Sequence, residues 1–220
     1  YLGVASALVV CNIVIAGYFL ISKPGASVNG AVTDTVFVKE QVEGPLQPLP
    51  DIVSIDFRWL TLGKALFHSD LLSKDNSISC ASCHLVDYGG DDGFPVSTGI
   101  SSQIGTRNSP TVLNSAFNFR QFWDGRSNTL SSQVGEPIHN PIEMGSNWKE
   151  VIEKLNDDRS FRNMFREINP EGVTQEAIVR AIVTYEESLI TPNAPIDKYL
   201  RGDVDAPVSY THLRAHETPI

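Results

Sequence analysis

Cysteine is scarce in this chain, with three in 220 residues: Cys11, Cys80 and Cys83. So few exclude a disulfide-stapled scaffold, and Cys11 lies in an apolar run, which leaves one usable pair. No second pair is present to complete a structural zinc site. Positive charge is short as well. Seventeen Lys and Arg stand against 26 Asp and Glu, a formal net charge of −9, which argues against a nucleic-acid partner and is ordinary for an exported domain. Strand and helix patterns do not alternate and no segment repeats. The fold class is therefore all-α, in a chain long enough to bury a real core.

Charge is missing altogether from Tyr1–Ser22, YLGVASALVVCNIVIAGYFLIS. About 20 apolar residues cross a bilayer, whereas the apolar core of a signal peptide has about 7–15. The stretch reads as an N-terminal apolar helix that anchors the chain to a membrane, or as an uncleaved signal segment. Cys11 is then a small apolar residue of that helix, with a lipoprotein as the competing reading. No initiator Met or basic leader precedes it, so the start reads as truncated. Residues 23–50, rich in Pro, Gly, Val and Thr, read as a linker. At the other end Val208–Thr218, VSYTHLRAHET, resembles the translation of a sequencing-library adapter. Residues 208–220 are set apart on that ground, His212 and His216 are excluded as ligands, and the native sequence is expected to continue past Pro207. A metal-binding histidine tail is the alternative.

Between these ends, residues 51–207 carry the globular signal. WLTLGKALFHSD predicts a short helix with Leu62, Ala65 and Leu66 on one face. Gly89–Gly105 predicts a long ordered loop, and TRNSPTVLNSAFN opens a further packed segment. Trp148, Val151, Ile152 and Leu155 recur at helical spacing, as do Phe161, Met164, Phe165 and Ile168. A third helix is expected over Gln175–Ile190, with Thr174 as N-cap and Val173 stapled to Ile178. Met164 and the aromatic residues of these stripes are read as core.

The chemistry concentrates in Ser79–Val86, SCASCHLV. The thiols of Cys80 and Cys83 can form thioethers with the vinyl groups of a haem, and His84 can then ligate the iron from one side. A thioredoxin-like pair would need a βαβ setting, and a structural disulfide would not need the histidine. Covalent haem also places the domain outside the cytoplasm. For the other face of the iron, His68, His139, Met144 and Met164 remain. His68 reads as a packing residue or as one that supports a ligand from behind, and no isolated late Met on a loop offers an electron-carrier's sixth ligand. NPIEMG, Asn140–Gly145, puts Glu143 in a turn after a proline. An acid beside an open iron site can move a proton between the two oxygens of hydrogen peroxide. On the turn alone, Glu143 reads as a solvated carboxylate.

LGKALFHSDLLSKDNSISCASCH, GTRNSPTVLNSAFN, QFWDGR, PIEMG and TPNAPIDKYLRGD together resemble the N-terminal half of bacterial di-haem cytochrome c peroxidases. The resemblance implies that Cys80, Cys83 and His84 hold the peroxidatic haem c. Glu143 would be the catalytic distal acid, Gln133 its polar neighbour, and Met144 a residue near the distal pocket. Trp123 would lie on the electron path between two haems, and Asn108 would serve a calcium site. From the residues alone, Trp123 reads also as a core aromatic and Asn108 as a turn residue. A second C-x-x-C-H domain, fed by a small cytochrome c or a cupredoxin, would follow in the full-length protein. Without it, repeated turnover of peroxide with a cytochrome donor is expected to be poor.

The same resemblance implies a periplasmic location, here with inner-membrane anchoring, and a homodimer. Many members carry a histidine in the loop STGISSQIGTRN that ligates the resting iron; Ile100 or a neighbouring serine stands there instead. An aliphatic side chain cannot bind iron, so an open or water-bound resting site is expected, with His139 as an alternative ligand. Relatives of the same architecture that oxidise a protein substrate in methylamine utilisation, and plain electron-transfer cytochromes, are the competing functions.

Overall fold

The structure, a computed structural model, describes residues 46–206. The apolar stretch 1–22, most of the linker and the tail 208–220 lie outside the described residues. Eight helices follow in order: α1 Phe57–Phe67, α2 Cys80–Cys83, α3 Leu130–Gln133, α4 Gly135–His139, α5 Trp148–Asp157, α6 Arg159–Ile168, α7 Gln175–Ser188 and α8 Pro195–Leu200. Short 3-10 turns and long loops connect them. Among the described residues there are no strands, only three isolated antiparallel bridges. The mainly helical expectation therefore holds. No helix among the described residues is long and apolar enough to cross a membrane.

The core forms where α1, α5, α6 and α7 meet. Leu62, Leu66, Val151, Leu155, Phe165, Ile178 and Ile182 are its buried centre, and Met164 packs half-buried against it. Each fully buried side chain of this kind contributes about 1.5–3 kcal/mol by leaving water. α7 starts where the sequence predicts, whereas α1 starts at Phe57, two residues before the predicted stretch. The Asp56 carboxylate accepts the Arg58 amide at 2.9 Å, and the Thr174 hydroxyl accepts the Ala177 amide at 3.2 Å. Val173 and Ile178 share the core, as a staple requires. α7 stops at Ser188, short of the expected Ile190, because Leu189 leaves helical geometry and gives its carbonyl to the Asn114 amide at 2.7 Å.

Two details of α1 differ from expectation. Gly63 joins the buried face while Ala65 is only half-buried. The cause is how closely α7 passes: a Cβ on Gly63 would overlap the Ala181 carbonyl and press on Tyr185. His68 packs its ring edge-on to Tyr185 at 6.0 Å, as expected, but also has a second role. It caps the exposed end of α1, its Nδ1–H donating at 2.9 Å to the Lys64 carbonyl, which also accepts the His68 backbone amide at 3.2 Å.

The packed unit also begins before residue 51. Leu49, assigned to the linker from composition, donates its amide to buried Asp197 at 2.8 Å. Its carbonyl accepts the Arg201 guanidinium, which pairs with Asp51 at 3.0 Å. Backbone docking of this kind leaves no trace in composition.

A third polar tie fixes the approach to the C-x-x-C-H motif. The Lys154 ammonium on α5 donates to the Ser73 carbonyl (2.6 Å), the Lys74 carbonyl (3.0 Å) and the Asn76 side chain (2.7 Å). Lys154→Met keeps the aliphatic stem and removes all three bonds. Hydrogen bonds to charged groups contribute about 1.5–3 kcal/mol, so a thermal midpoint several degrees lower is expected by circular dichroism.

Candidate functional site

One cavity of about 400 Å³ gathers the residues singled out by sequence. Cys80, Cys83 and His84 line it from the first half of the described chain. Gln133, Glu143 and Met144 line it from the segment after α3 begins, and Asn108 and Trp123 from the loops between. Leu130, Val134, Ile138 and Ile182 give it apolar wall. That size and mixed lining suit a bound cofactor.

The motif itself is one helical turn. The Ser79 amide donates to the Ser82 hydroxyl at 3.0 Å, and the spacing of three residues sets both thiols on one side of that turn. Burial pushes the Cys80 thiol up to about 12, and burial likewise raises that of Cys83. Both therefore stay protonated near neutrality, unlike the lowered thiol of a redox-exchange pair. Both are free of disulfide.

His84 follows the turn and is turned by its backbone toward Gly90, whose carbonyl lies 3.3 Å from Nδ1. A carbonyl only accepts, so Nδ1 carries the proton and Nε2 keeps its lone pair. Burial lowers the pKa of the ring, which holds it neutral and ready to ligate a metal.

Glu143 sits across the cavity in the turn Asn140–Gly145. Its Oε1 accepts the Asn140 amide group at 2.9 Å. Burial raises the carboxyl above its ordinary value, against the pull of the Asn140 hydrogen bond and of Arg126, while the charge of Glu136 adds to the rise. A half-buried, oriented carboxyl differs from the solvated turn residue the sequence also allowed. The loop before it is pinned: Ile100 donates its amide to the Glu143 carbonyl at 2.8 Å, and the Gln103 side chain donates to Pro141 at 2.9 Å. A Cβ on Gly99 would overlap the backbone of Ile142 and Glu143. Ile100 is buried and packs toward Gly145, so this loop positions the acid. His139 is exposed, its ring edge-on to Trp148 at 5.7 Å, and is not part of the lining.

Gln133 ends α3, half-buried, and Met144 is buried between cavity and core. Trp123 is 61% exposed, which overturns its reading as a core aromatic. Its indole N–H donates to the Asn108 carbonyl at 3.1 Å, so the two residues are joined at the cavity rim. Asn108 is exposed, and no cluster of three or more His, Cys, Asp or Glu able to hold a metal ion occurs among the described residues. The calcium expectation finds no acidic cluster here.

Sequence reasoning missed three contributors. Arg126 lines the cavity, donates to Glu136 at 2.6 Å and to Asp124 at 2.9 Å, and lies 3.5 Å over the Phe122 ring. Its dense local bonding has no linear signature. Ser115 and Glu186 are the other two. Their Oγ and Oε2 are the two buried side-chain polar atoms without a hydrogen-bond partner among the described residues, and both residues line this cavity. For Glu186 a signal existed: it falls four residues after Ile182 on the buried face of α7, where a hydrophobic residue belongs.

The residues fit a porphyrin. Paired thiols on one helical turn, an imidazole directly after them, apolar walls and two buried polar atoms left without protein partners beside the cavity all match a thioether-linked haem.

Comparison with known proteins agrees. A family profile described as di-haem cytochrome c peroxidase matches residues 58–205. The cytochrome c peroxidase Ccp of Escherichia coli K12 is 48% identical over 163 residues, covering 74% of this chain and 35% of that protein. The cytochrome c551 peroxidase of Pseudomonas aeruginosa is 39% identical over 173 residues, covering 74% of this chain and 50% of the relative. The methylamine utilization protein MauG of Methylorubrum extorquens is 30% identical over 206 residues, 92% of this chain and 58% of the relative. The chain thus spans half or less of the length of the peroxidases it matches. Among solved structures, a MauG-like protein associated with microbial copper homeostasis superposes with a TM-score of 0.65 at 27% identity, covering 79% of this chain and 51% of that one. With a profile match over most of the described residues and the haem-binding turn inside it, this chain belongs to the di-haem cytochrome c peroxidase family.

Proposed function

We propose that residues 51–207 form the peroxidatic haem c domain of a peroxidase that reduces hydrogen peroxide to two waters with two electrons and two protons. One observation carries this: the oriented Glu143 carboxyl and the His84 imidazole, from distant parts of the chain, line the same cavity. Cys80 and Cys83 would hold the haem and His84 its iron, and the haem would supply the redox centre at which the O–O bond breaks. Glu143 then takes a proton from the bound peroxide and returns it to the departing oxygen. Asn140 aims that carboxyl, and Gln133 offers a polar group beside it. Trp123, exposed at the rim, would pass electrons from a second haem domain supplied by a small cytochrome c or a cupredoxin. Covalent haem argues for the periplasm, with residues 1–22 as tether to the inner membrane. Calcium at Asn108 and a homodimer are carried by the resemblance alone.

The absence of a histidine from the loop around Ile100 supports a resting iron free to admit peroxide. The haem-loaded chain is expected to show a high-spin ferric absorption spectrum and to react with hydrogen peroxide on mixing, without prior reduction. A purely low-spin spectrum with no peroxide reaction would return the reading to an electron-transfer cytochrome. The MauG relatives raise a second reading, oxidation of a protein substrate. Rapid turnover of peroxide with a donor cytochrome, compared with oxidation of a bound precursor, separates the two.

A further inference from the structure

The proton chemistry above leaves Glu186 unused. It is 6% exposed, lies on the core-facing side of α7, lines the haem cavity, and carries a buried Oε2 with no hydrogen-bond partner. We propose that Glu186 is a redox-linked proton site: it holds a proton while the haem iron is ferrous and releases it when the iron becomes ferric. This rests on the haem reading and goes beyond it, because Glu186 is distinct from the acid that serves peroxide.

The argument starts from cost. A buried carboxylate without a partner is among the least tolerable groups in a protein interior, so Glu186 stays protonated unless a positive charge arrives. Burial first, and then the neighbouring charge of Glu187, push its carboxyl up to about 8. Arg107 and Arg126 line the same cavity, but each is already paired with a carboxylate, Arg107 with Asp124 and Arg126 with Asp124 and Glu136. α3 and the turn Ser115–Phe117, which pack on α7, carry no ionisable side chain. On α1, Arg58 and Lys64 are exposed, as is His68 at its end. The remaining titratable neighbour is Cys80, whose thiol feels the Glu186 charge, and a thioether at Cys80 holds no proton.

Oxidation supplies the missing charge. A haem with neutral axial ligands is formally uncharged at its centre when ferrous and carries one positive charge when ferric. Losing one electron from the iron therefore favours losing one proton from Glu186 to solvent, and re-reduction by a one-electron donor takes both back. The sign follows: the carboxyl pKa is lower in the ferric state, so the reduction potential falls as pH rises between the two values. That window lies below the value of about 8 set by burial.

Spectroelectrochemical titration of the haem-loaded full chain across neutral pH tests this in wild type and Glu186→Gln. The wild-type potential is expected to fall with pH, approaching one proton per electron, about 59 mV per tenfold change in proton activity. The Gln variant should be flat over the same window. The infrared difference spectrum between the two redox states should show a protonated-carboxyl band that is lost on oxidation, absent from Glu186→Gln and shifted in Glu186→Asp. A flat wild-type potential, or a slope that survives in the Gln variant, overturns the assignment. Should that variant fail to hold haem, a wild-type infrared spectrum without the carboxyl change overturns it alone. A wild-type chain that carries no thioether-linked haem overturns this proposal and the haem reading together, and is told apart by the absence of the haem absorption itself.

Discussion

Glu143→Gln is expected to slow the reaction of the haem-loaded protein with hydrogen peroxide by about 10²–10⁴-fold, the usual contribution of a positioned acid–base group. In barrier terms this is about 3–5 kcal/mol. The substitution preserves shape and leaves an acceptor oxygen for the Asn140 amide group, which donates to Oε1 at 2.9 Å. Only the ability to take up and hand over a proton is lost. The wild-type rate should also fall as pH drops through the pKa of Glu143, because the base must be ionised to accept the peroxide proton. Burial holds that pKa above the ordinary carboxylate value, so the decline begins at a higher pH than for a free carboxylate. In the Gln variant this limb should vanish. Stopped-flow absorbance at a series of pH values reads both effects, and a variant as fast as wild type would remove Glu143 from the chemistry.

Gly63→Ala should be among the most damaging single methyls in the described residues, with Gly99→Ala. The added Cβ would overlap the Ala181 carbonyl and meet Tyr185, and a backbone atom on a central helix cannot rotate away as a side chain can. α1 and α7 must move apart, opening the contact between Leu62, Leu66, Ile178 and Ile182. Overpacking costs about 1–3 kcal/mol where side chains can adjust; here we expect a loss at or above about 3 kcal/mol, and a thermal midpoint lower by roughly 6–12 °C. Because α7 also carries Ile182 and Glu186 into the cavity, the haem absorption of the folded fraction should shift as well. An unchanged midpoint would mean the helices are not as close as described.

The helices were legible in the sequence to the extent that their signals are local. The spacing of Val151 and Leu155, and the hydroxyl of Thr174 ahead of α7, act within one or two turns. Cys80, Cys83 and His84 were legible because their chemistry is linear. Glu143 was legible as a residue, but not as a half-buried acid. Its setting depends on a loop some forty residues earlier, where the Ile100 amide holds its carbonyl. Gly63 and Ala65 exchange places on α1 for a similar reason: periodicity counts side chains, whereas the nearness of α7 decides which position must have none. His68 reads as packing from its place in an apolar helix and does pack on Tyr185, but the cap it also makes on Lys64 leaves no trace in periodicity. Trp123 shows the reverse, an aromatic residue that hydrophobicity sends inward and a hydrogen bond to Asn108 keeps at the surface.

The tie between Leu49, Asp197 and Arg201 has a consequence for how the unit assembles and opens. It joins positions about 150 residues apart, so it closes the largest loop in the described chain. A contact of such high order gains nothing until the intervening helices are in place. It is thus a latch, last to engage on the folding route and first to release when the ends fray, while the α1–α7 pair beneath it stays intact.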